Sequence, residues 1–187
     1  KALSIVFIIS LIFKLMHWPG AGVLMVLSLT FLALCYFPFG FYFFSDKNFK
    51  NQKIGISILF GWLLSIAIIG IEFKLMFWPG SQVMLLVGCM SAAVLLLAGF
   101  SLFKKSDEDL KNYHKNLFTR TVVIFVLAMI CLLLPNSVLI NHYYANEPEL
   151  RELYLKQQEN PQDENIQKEI QEYKAKQFEQ ENGKRRN

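Results

Sequence analysis

The chain has 187 residues, of which 53% are hydrophobic and 14% are aromatic, and it carries a formal net charge of +4 at pH 7. Its apolar residues come in blocks from Ala2 to about Ile140, whereas the segment after His142 is polar and charged. This uneven distribution excludes an ordinary soluble domain and favours a membrane body followed by an aqueous tail.

A membrane-crossing helix needs about 20 mostly apolar residues, because hydrocarbon offers no partners to backbone polar groups. The apolar blocks predict helices over Ala2–Met16, Gly22–Phe44, Ile54–Met76, Gln82–Phe103 and Leu117–Ile140. The predicted fold class is therefore all-α, a polytopic membrane protein with about five transmembrane helices and a C-terminal helical tail. A signal peptide is the alternative interpretation of the first block, because Lys1 precedes a short apolar run.

The sequence contains an internal repeat. FKLMHWPG at residues 13–20 returns with one change as FKLMFWPG at residues 73–80. Because two crossings separate the copies, both would enter the membrane in the same direction as parallel hairpins. We predict one hairpin over 1–44, a second over 54–103, a fifth helix without a counterpart over 117–140, and a tail over 141–187.

Each copy of this block is interpreted as an interfacial anchor plus a hairpin turn. Lysine and tryptophan stand four residues apart, on one helix face, where the lysine can snorkel outward while the indole lies at headgroup level. A cation–π contact between them would contribute about 0.5–1 kcal/mol. Proline then ends one helix and suits the first position of the next. The predicted anchors are Lys14, Trp18, Pro19, Gly20, Lys74, Trp78, Pro79 and Gly80.

The basic residues predict the orientation. With five crossings, the lysine-bearing loops at 45–53 and 104–116 lie on the same side as the N-terminus, and the positive-inside rule places them in the cytoplasm. The WPG turns and the tail then lie outside the cytosol. If the fifth apolar run does not cross, the tail lies inside instead.

The tail, residues 141–187, holds ten acidic and eight basic residues, so the body before it carries +6 and the tail −2. This mixed charge argues against nucleic acid as a partner. Helix starts are predicted at Glu147-Pro148 and after Asn160-Pro161, with a stop at Gly183. The apolar stripe is too thin for an independent core, so we expect it to pack on the body, another copy or a partner; the alternative is a solvated helical extension. The stripe consists of Leu150, Leu153, Tyr154, Ile166, Ile170, Tyr173 and Phe178.

Glu72 is the one acid within the predicted membrane helices. An ionisable group there is a candidate proton site or partner contact. Glu72 also lies about 9 Å from Trp78 along the helix, within reach of headgroups or of Lys14. Both interpretations stay open, and the first repeat has Ile12 at this position.

No catalytic, cofactor or metal site is predicted. Cys35, Cys89 and Cys131 fall in separate apolar runs without paired spacing, which makes disulfides and metal ligation unexpected. His17, His114 and His142 lack ligand spacing and are interpreted as packing residues. The chain contains no recognisable enzyme motif in a suitable context.

The FKLMHWPGAGVLMVLSL block resembles the N-terminal membrane hairpin of the gliding-motility GldL family of Bacteroidota. The resemblance covers about thirty residues, and again about thirty in the second copy. It implies an inner-membrane component of type IX secretion and gliding machinery, which in that family is an oligomeric, proton-driven motor. The family's motor glutamate in the second helix has no counterpart here, where Phe31 stands near that place. The resemblance therefore implies a duplicated relative without that motor chemistry.

Taken together, the residues predict a non-enzymatic membrane subunit that binds lipids and other membrane or periplasmic proteins, as a homo- or hetero-oligomer. The alternative is a proton- or ion-handling unit that uses Glu72 and Lys74.

Overall fold

The structure is a computed structural model that describes residues 2–18, 20–44, 53–106 and 108–186. All regular secondary structure in these residues is helical, so the all-α prediction is confirmed. The helices are α1 (Ala2–Leu15), α2 (Ala21–Phe44), α3 (Ile54–Met76), α4 (Ser81–Lys104), α5 (Glu108–Leu133), α6 (Asn136–Tyr143), α7 (Pro148–Glu159) and α8 (Glu164–Arg186).

Three of these helices are long and apolar enough to cross a bilayer, namely α3, α4 and residues Leu110–Leu133 of α5. Two shorter apolar stretches precede them, α1 and residues 21–37 of α2. This set of helices is that of a membrane helical protein. The bounds of α1 to α4 agree with the sequence prediction to within one residue at each end.

The fifth helix differs from the prediction. It begins at Glu108 and ends at Leu133, instead of spanning residues 117–140. It starts early because Tyr113 and His114, which belong to a polar stretch, are both buried. It ends early because Pro135 has no N–H to donate and disfavours helical geometry in the residue before it. A separate helix, α6, follows this proline.

Helix α3 is the centre of the first compact unit, residues 1–133, and packs against α2, α4 and α5, while α1 packs on α2. Buried residues therefore occur on several faces of α3, as Phe60, Ser65 and Gly70 illustrate. A helix that is apolar all round is expected to be buried on most sides.

Two glycines allow α3 and α4 to approach closely. A Cβ added at Gly70 would lie 2.9 Å from Cα of Leu85, and one added at Gly88 would lie 2.7 Å from Cα of Ala67. Real Cβ atoms do not approach backbone atoms so closely. Small residues of this kind let membrane helices gain van der Waals contact between backbones.

Residues 134–187 form a second compact unit. Its helices α6, α7 and α8 share a small core of Ile140, Tyr143, Leu150, Tyr154 and Ile170. Ile140 of α6 belongs to the segment that the sequence predicts as the end of the fifth helix. The predicted stop at Gly183 is wrong, since α8 continues to Arg186.

Candidate functional site: the repeated turns and the groove between α2 and α3

The first turn ends α1 with a Schellman motif. His17 adopts the left-handed conformation, with φ of 57°. The N–H of Trp18 donates to the carbonyl of Phe13 at 2.9 Å, and the N–H of His17 donates to that of Lys14 at 3.3 Å. These bonds satisfy carbonyls that a helix end leaves open. The rings of Phe13 and Trp18 pack at 4.7 Å between centroids, which supplies the apolar contact that often accompanies the motif.

The second turn repeats this geometry. Phe77 has φ of 56°, and the N–H of Trp78 donates to the carbonyl of Phe73 at 3.0 Å. The N–H of Phe77 donates to the carbonyl of Lys74 at 3.3 Å, and the rings of Phe73 and Trp78 lie 4.9 Å apart. The order Phe-Lys-x-x-x-Trp thus has a local physical reason, since its members close the helix end.

The glycines of the block set the start of the next helix. Gly20 and Gly80 have φ of 81° and 76°, a conformation that glycine adopts without steric cost. Gly80 is the N-cap of α4, so Pro79 lies before the helix and not at its first position, contrary to the prediction. A left-handed residue separates this proline from the helical residues. Pro19 lies outside the described residues.

The two lysines of the block occupy different environments. Lys14 donates from Nζ to the carbonyl of Leu75 at 3.1 Å and lies 5.8 Å from the ring centre of Phe77. It therefore caps the C-terminal end of α3, where a cation is favourable. Lys74 is only 1% exposed and lies 3.5 Å from Oε1 of Gln82. The prediction that Lys74 snorkels outward as an anchor is wrong, because α3 is surrounded by other helices.

The tryptophans of the block keep substantial exposure, 50% for Trp18 and 36% for Trp78. Both lie directly after a helix end, where their indoles form part of the outer surface of the unit. That surface position is the one an interfacial tryptophan requires.

Glu72 is buried between two helices. It is 3% exposed, and Oγ1 of Thr30 on α2 donates to its Oε1 at 2.8 Å. Within the described part of the chain this hydrogen bond is the polar contact of the carboxyl group, and no ion pair to Lys14 forms. Burying an ionised carboxylate without a counter-charge is costly. The burial therefore favours either protonation of the carboxyl group or a cation beside it.

Glu72 lines a groove between α2 and α3 with a cavity volume of about 290 Å³. Its walls are mostly apolar, and three of the side chains are aromatic. Glu72, Thr30 and Ser65 are its polar side chains, with Oγ of Ser65 donating to the carbonyl of Trp62 at 2.7 Å. The lining residues are Thr30, Ala33, Leu34, Phe37, Ser65, Ile69, Glu72, Phe73 and Trp78. An apolar groove with one buried acid is able to hold a ligand or a partner group of positive charge.

Polar pairs near the basic-loop end of the unit were not found from the sequence. Ser57 pairs with Tyr113 at 2.6 Å, Ser106 with Nδ1 of His114 at 3.0 Å, and Tyr36 accepts from Arg120 at 3.2 Å. The first and third pairs join helices that are distant in sequence, which no local pattern indicates, whereas Ser106 lies eight residues before His114. His114 is 5% exposed, and its ring lies 5.2 Å from that of Tyr113.

The cysteines are free thiols; Cys89 and Cys131 are buried, and Cys35 is half-buried. Among the described side chains no three histidine, cysteine or acidic residues converge on a metal-sized site.

The tail residues proposed for partner binding fall into two groups. Leu150, Tyr154 and Ile170 are buried inside the second unit, so the prediction that they form a partner surface is wrong. Phe178 is 67% exposed. The remaining three, Leu153, Ile166 and Tyr173, are half-buried.

Tyr154 is held on both sides within this unit. Tyr144 stacks on it at 4.7 Å, and Lys174 donates to its hydroxyl at 2.5 Å. Burial, followed by the proximity of Tyr154, raises the pKa of Tyr144. Tyr144 therefore stays neutral, and its stacking on Tyr154 is a structural contact of the tail.

Comparison of the chain with protein-family models, with curated proteins and with solved structures gives no match.

Proposed function

We propose that this chain is a non-enzymatic inner-membrane subunit of a multiprotein assembly, which docks partners through its membrane helices and its C-terminal unit. The observation that carries the proposal is the division into two units: a bundle of apolar helices, and a polar helical unit that keeps a large aromatic side chain, Phe178, 67% exposed. An exposed aromatic on a charged helix is a typical anchor for a partner.

In the proposed topology α1 to α5 all cross the membrane, with α1–α2 and α3–α4 as parallel hairpin repeats. The matching Schellman motifs at His17 and Phe77 support the repeat, as do the matching left-handed glycines. The lysine-rich loops support a cytoplasmic N-terminus and a periplasmic tail. The proposed assembly is one linked to type IX secretion or gliding, and the FKLMHWPG block is the support for that link.

Deletion of residues 146–187 is expected to remove a partner from the complex that mild detergent extracts from the native membrane. The complex would lose mass beyond the deleted segment, because α7 and α8, which include Phe178, are gone. Native mass spectrometry of the extracted complex measures this loss. Recovery of all other subunits with the truncated chain would contradict the docking role.

A point variant sharpens this test. Phe178→Glu places a charge at an exposed position and should weaken partner binding at least tenfold if this aromatic is a central contact, since such contacts contribute about 2 kcal/mol or more. Ala175→Glu is the matched control, because it adds the same charge at another exposed position of α8. Equal complexes from both variants would exclude Phe178 from the interface.

A second function, proton or ion handling by Glu72, is favoured by its burial and by its contact with Thr30 in the groove. Lys74, which the sequence paired with it in this role, lies towards Gln82. Glu72→Gln keeps the shape of the side chain and removes its charge. In this second proposal the variant loses its proton- or ion-handling activity while the complex stays intact. A variant that keeps this activity would exclude the role of Glu72.

A further inference from the structure

We propose that the groove between α2 and α3 binds a lipophilic organic cation, an ammonium group attached to an apolar or aromatic tail, with Glu72 as its counter-ion. This inference rests on the second proposed function and deepens it, because it names the chemical class of the ion. It does not depend on the docking role of the tail.

The charge of the site comes from Glu72 alone. One of its carboxyl oxygens accepts from the hydroxyl group of Thr30, which is neutral and supplies no counter-charge. Basic groups of the neighbouring helices are engaged elsewhere: Lys14 with the carbonyl of Leu75, Lys74 with Gln82, and Arg120 with Tyr36. A cation in the groove would therefore meet an uncompensated acid in apolar surroundings, where electrostatic attraction is strong.

The walls of the groove suit an organic cation. Phe37 stacks on Trp62 at 5.3 Å, and Phe73 packs edge-on against Trp78 at 4.9 Å, so two of the lining rings are held in place by a second ring. Aromatic faces attract ammonium groups by about 0.5–2 kcal/mol, and more strongly when water is excluded. The same rings offer apolar surface to the tail of the ligand.

The composition of the groove disfavours other ligands. Calcium takes 6–8 oxygen ligands and magnesium requires octahedral coordination, whereas the groove has one carboxyl and two hydroxyl groups. An anion would be repelled by the carboxylate of Glu72. The volume of about 290 Å³ fits a small ligand or a single long side chain rather than the whole width of a helix.

The probe for this site is benzyltrimethylammonium, and its neutral isostere neopentylbenzene serves as the comparison. Binding to the purified full chain is measured by calorimetry in nanodiscs of phosphatidylglycerol. The cation is expected to bind at least tenfold more tightly to the native chain than to Glu72→Gln, whereas the isostere should not distinguish the two. The proton and the cation compete for one carboxyl group. The affinity for the cation should therefore fall about tenfold for each unit by which the pH is lowered in the range where Glu72 is protonated.

Two further variants control the result. Ile12→Gln places the same amide at the corresponding position of the first repeat, which lies outside the groove, and should bind the cation like the native chain. Trp78→Leu removes one aromatic wall at a partly exposed position and should weaken cation binding about threefold, in line with one exposed cation–π contact. It tests the site independently if Glu72→Gln does not fold.

The lipid composition of the nanodisc distinguishes two sources of the ligand, a lipid headgroup and a soluble cation. If the affinity difference between the native chain and Glu72→Gln shrinks in nanodiscs that contain phosphatidylethanolamine, a lipid amine occupies the groove, and an unchanged difference indicates a soluble cation. Both results support the shared chemistry. Equal binding of the cation and the isostere, or equal binding to native chain and Glu72→Gln, would overturn it. A polyleucine helix with one central lysine serves as the probe for a partner helix. If this helix binds through Glu72 and the small cation does not, the proposal of a small lipophilic cation is overturned.

Labelling of Glu72 by dicyclohexylcarbodiimide, which requires a protonated carboxyl group in apolar surroundings, separates this inference from the function on which it rests. Protection of Glu72 by the probe supports the cation site. Labelling that the probe neither prevents nor slows would overturn the cation site and leave proton handling in place.

Discussion

Replacing Gly88 by alanine is expected to destabilise the membrane unit by about 2–3 kcal/mol, which corresponds to a fall of about 5–10 °C in its unfolding temperature. The added Cβ would lie 2.7 Å from Cα of Ala67 and 3.2 Å from the carbonyl oxygen of Ile66. These are backbone atoms of α3, so they cannot move aside as a flexible side chain does. The two helices must separate, and their packing contacts weaken along their length.

Gly55→Ala is the matched control, because Gly55 lies in α3 and an added Cβ there meets nothing within 4 Å. Alanine is the better helix former, so this variant is expected to be unchanged or more stable by up to about 1 kcal/mol. Thermal unfolding of the purified variants in one detergent measures both effects. Equal unfolding temperatures for Gly88→Ala and Gly55→Ala would contradict the close packing of α3 on α4.

Glycine substitutions at the two left-handed turn residues are expected to have opposite effects. His17→Gly removes the strain of a non-glycine residue in this conformation at an exposed position, and should stabilise the chain by about 1 kcal/mol. Phe77→Gly relieves the same strain but removes a ring that is 1% exposed. Loss of a buried phenylalanine costs about 3–5 kcal/mol, so the net effect is a destabilisation of about 2–4 kcal/mol.

Thermal unfolding again provides the measurement, with a rise of about 2–4 °C for His17→Gly and a clear fall for Phe77→Gly. Stabilisation by both glycines would show that the Phe77 ring is not part of the packed unit. Destabilisation by His17→Gly would show that the first turn is not left-handed at this residue.

The hairpin helices follow from the sequence because their limits are set locally. The apolar block Ile54–Met76 is the observed α3, since the segment Phe77–Gly80 ends it by local hydrogen bonds. The predicted fifth helix, residues 117–140, differs from α5 because the apolar run continues past Pro135, whereas the helix ends before this proline. Tyr113, which lies in the N-terminal extension of α5, is buried and hydrogen-bonded to Ser57, a partner 56 residues away in the chain.

The candidate site was predictable only in part. Glu72 was identified because an acid in an apolar run is unusual, but its partner Thr30 lies 42 residues earlier on another helix. The burial of Lys74 was missed because the two copies of the block have identical lysines in different surroundings: Lys14 lies on a peripheral helix and Lys74 on the central one. Sequence similarity between repeats does not determine which copy is enclosed.

Cysteine accessibility tests the central claim most directly, namely that the two Trp-Pro-Gly turns lie on one side of a membrane. Single cysteines are introduced at Trp18, Trp78, Lys53 or Lys105 in a chain whose native cysteines are replaced by alanine, and intact cells receive an impermeant maleimide. We expect labelling at positions 18 and 78 from outside, and at 53 and 105 only after the membrane is opened. Labelling of 18 and 78 from opposite sides would contradict the account.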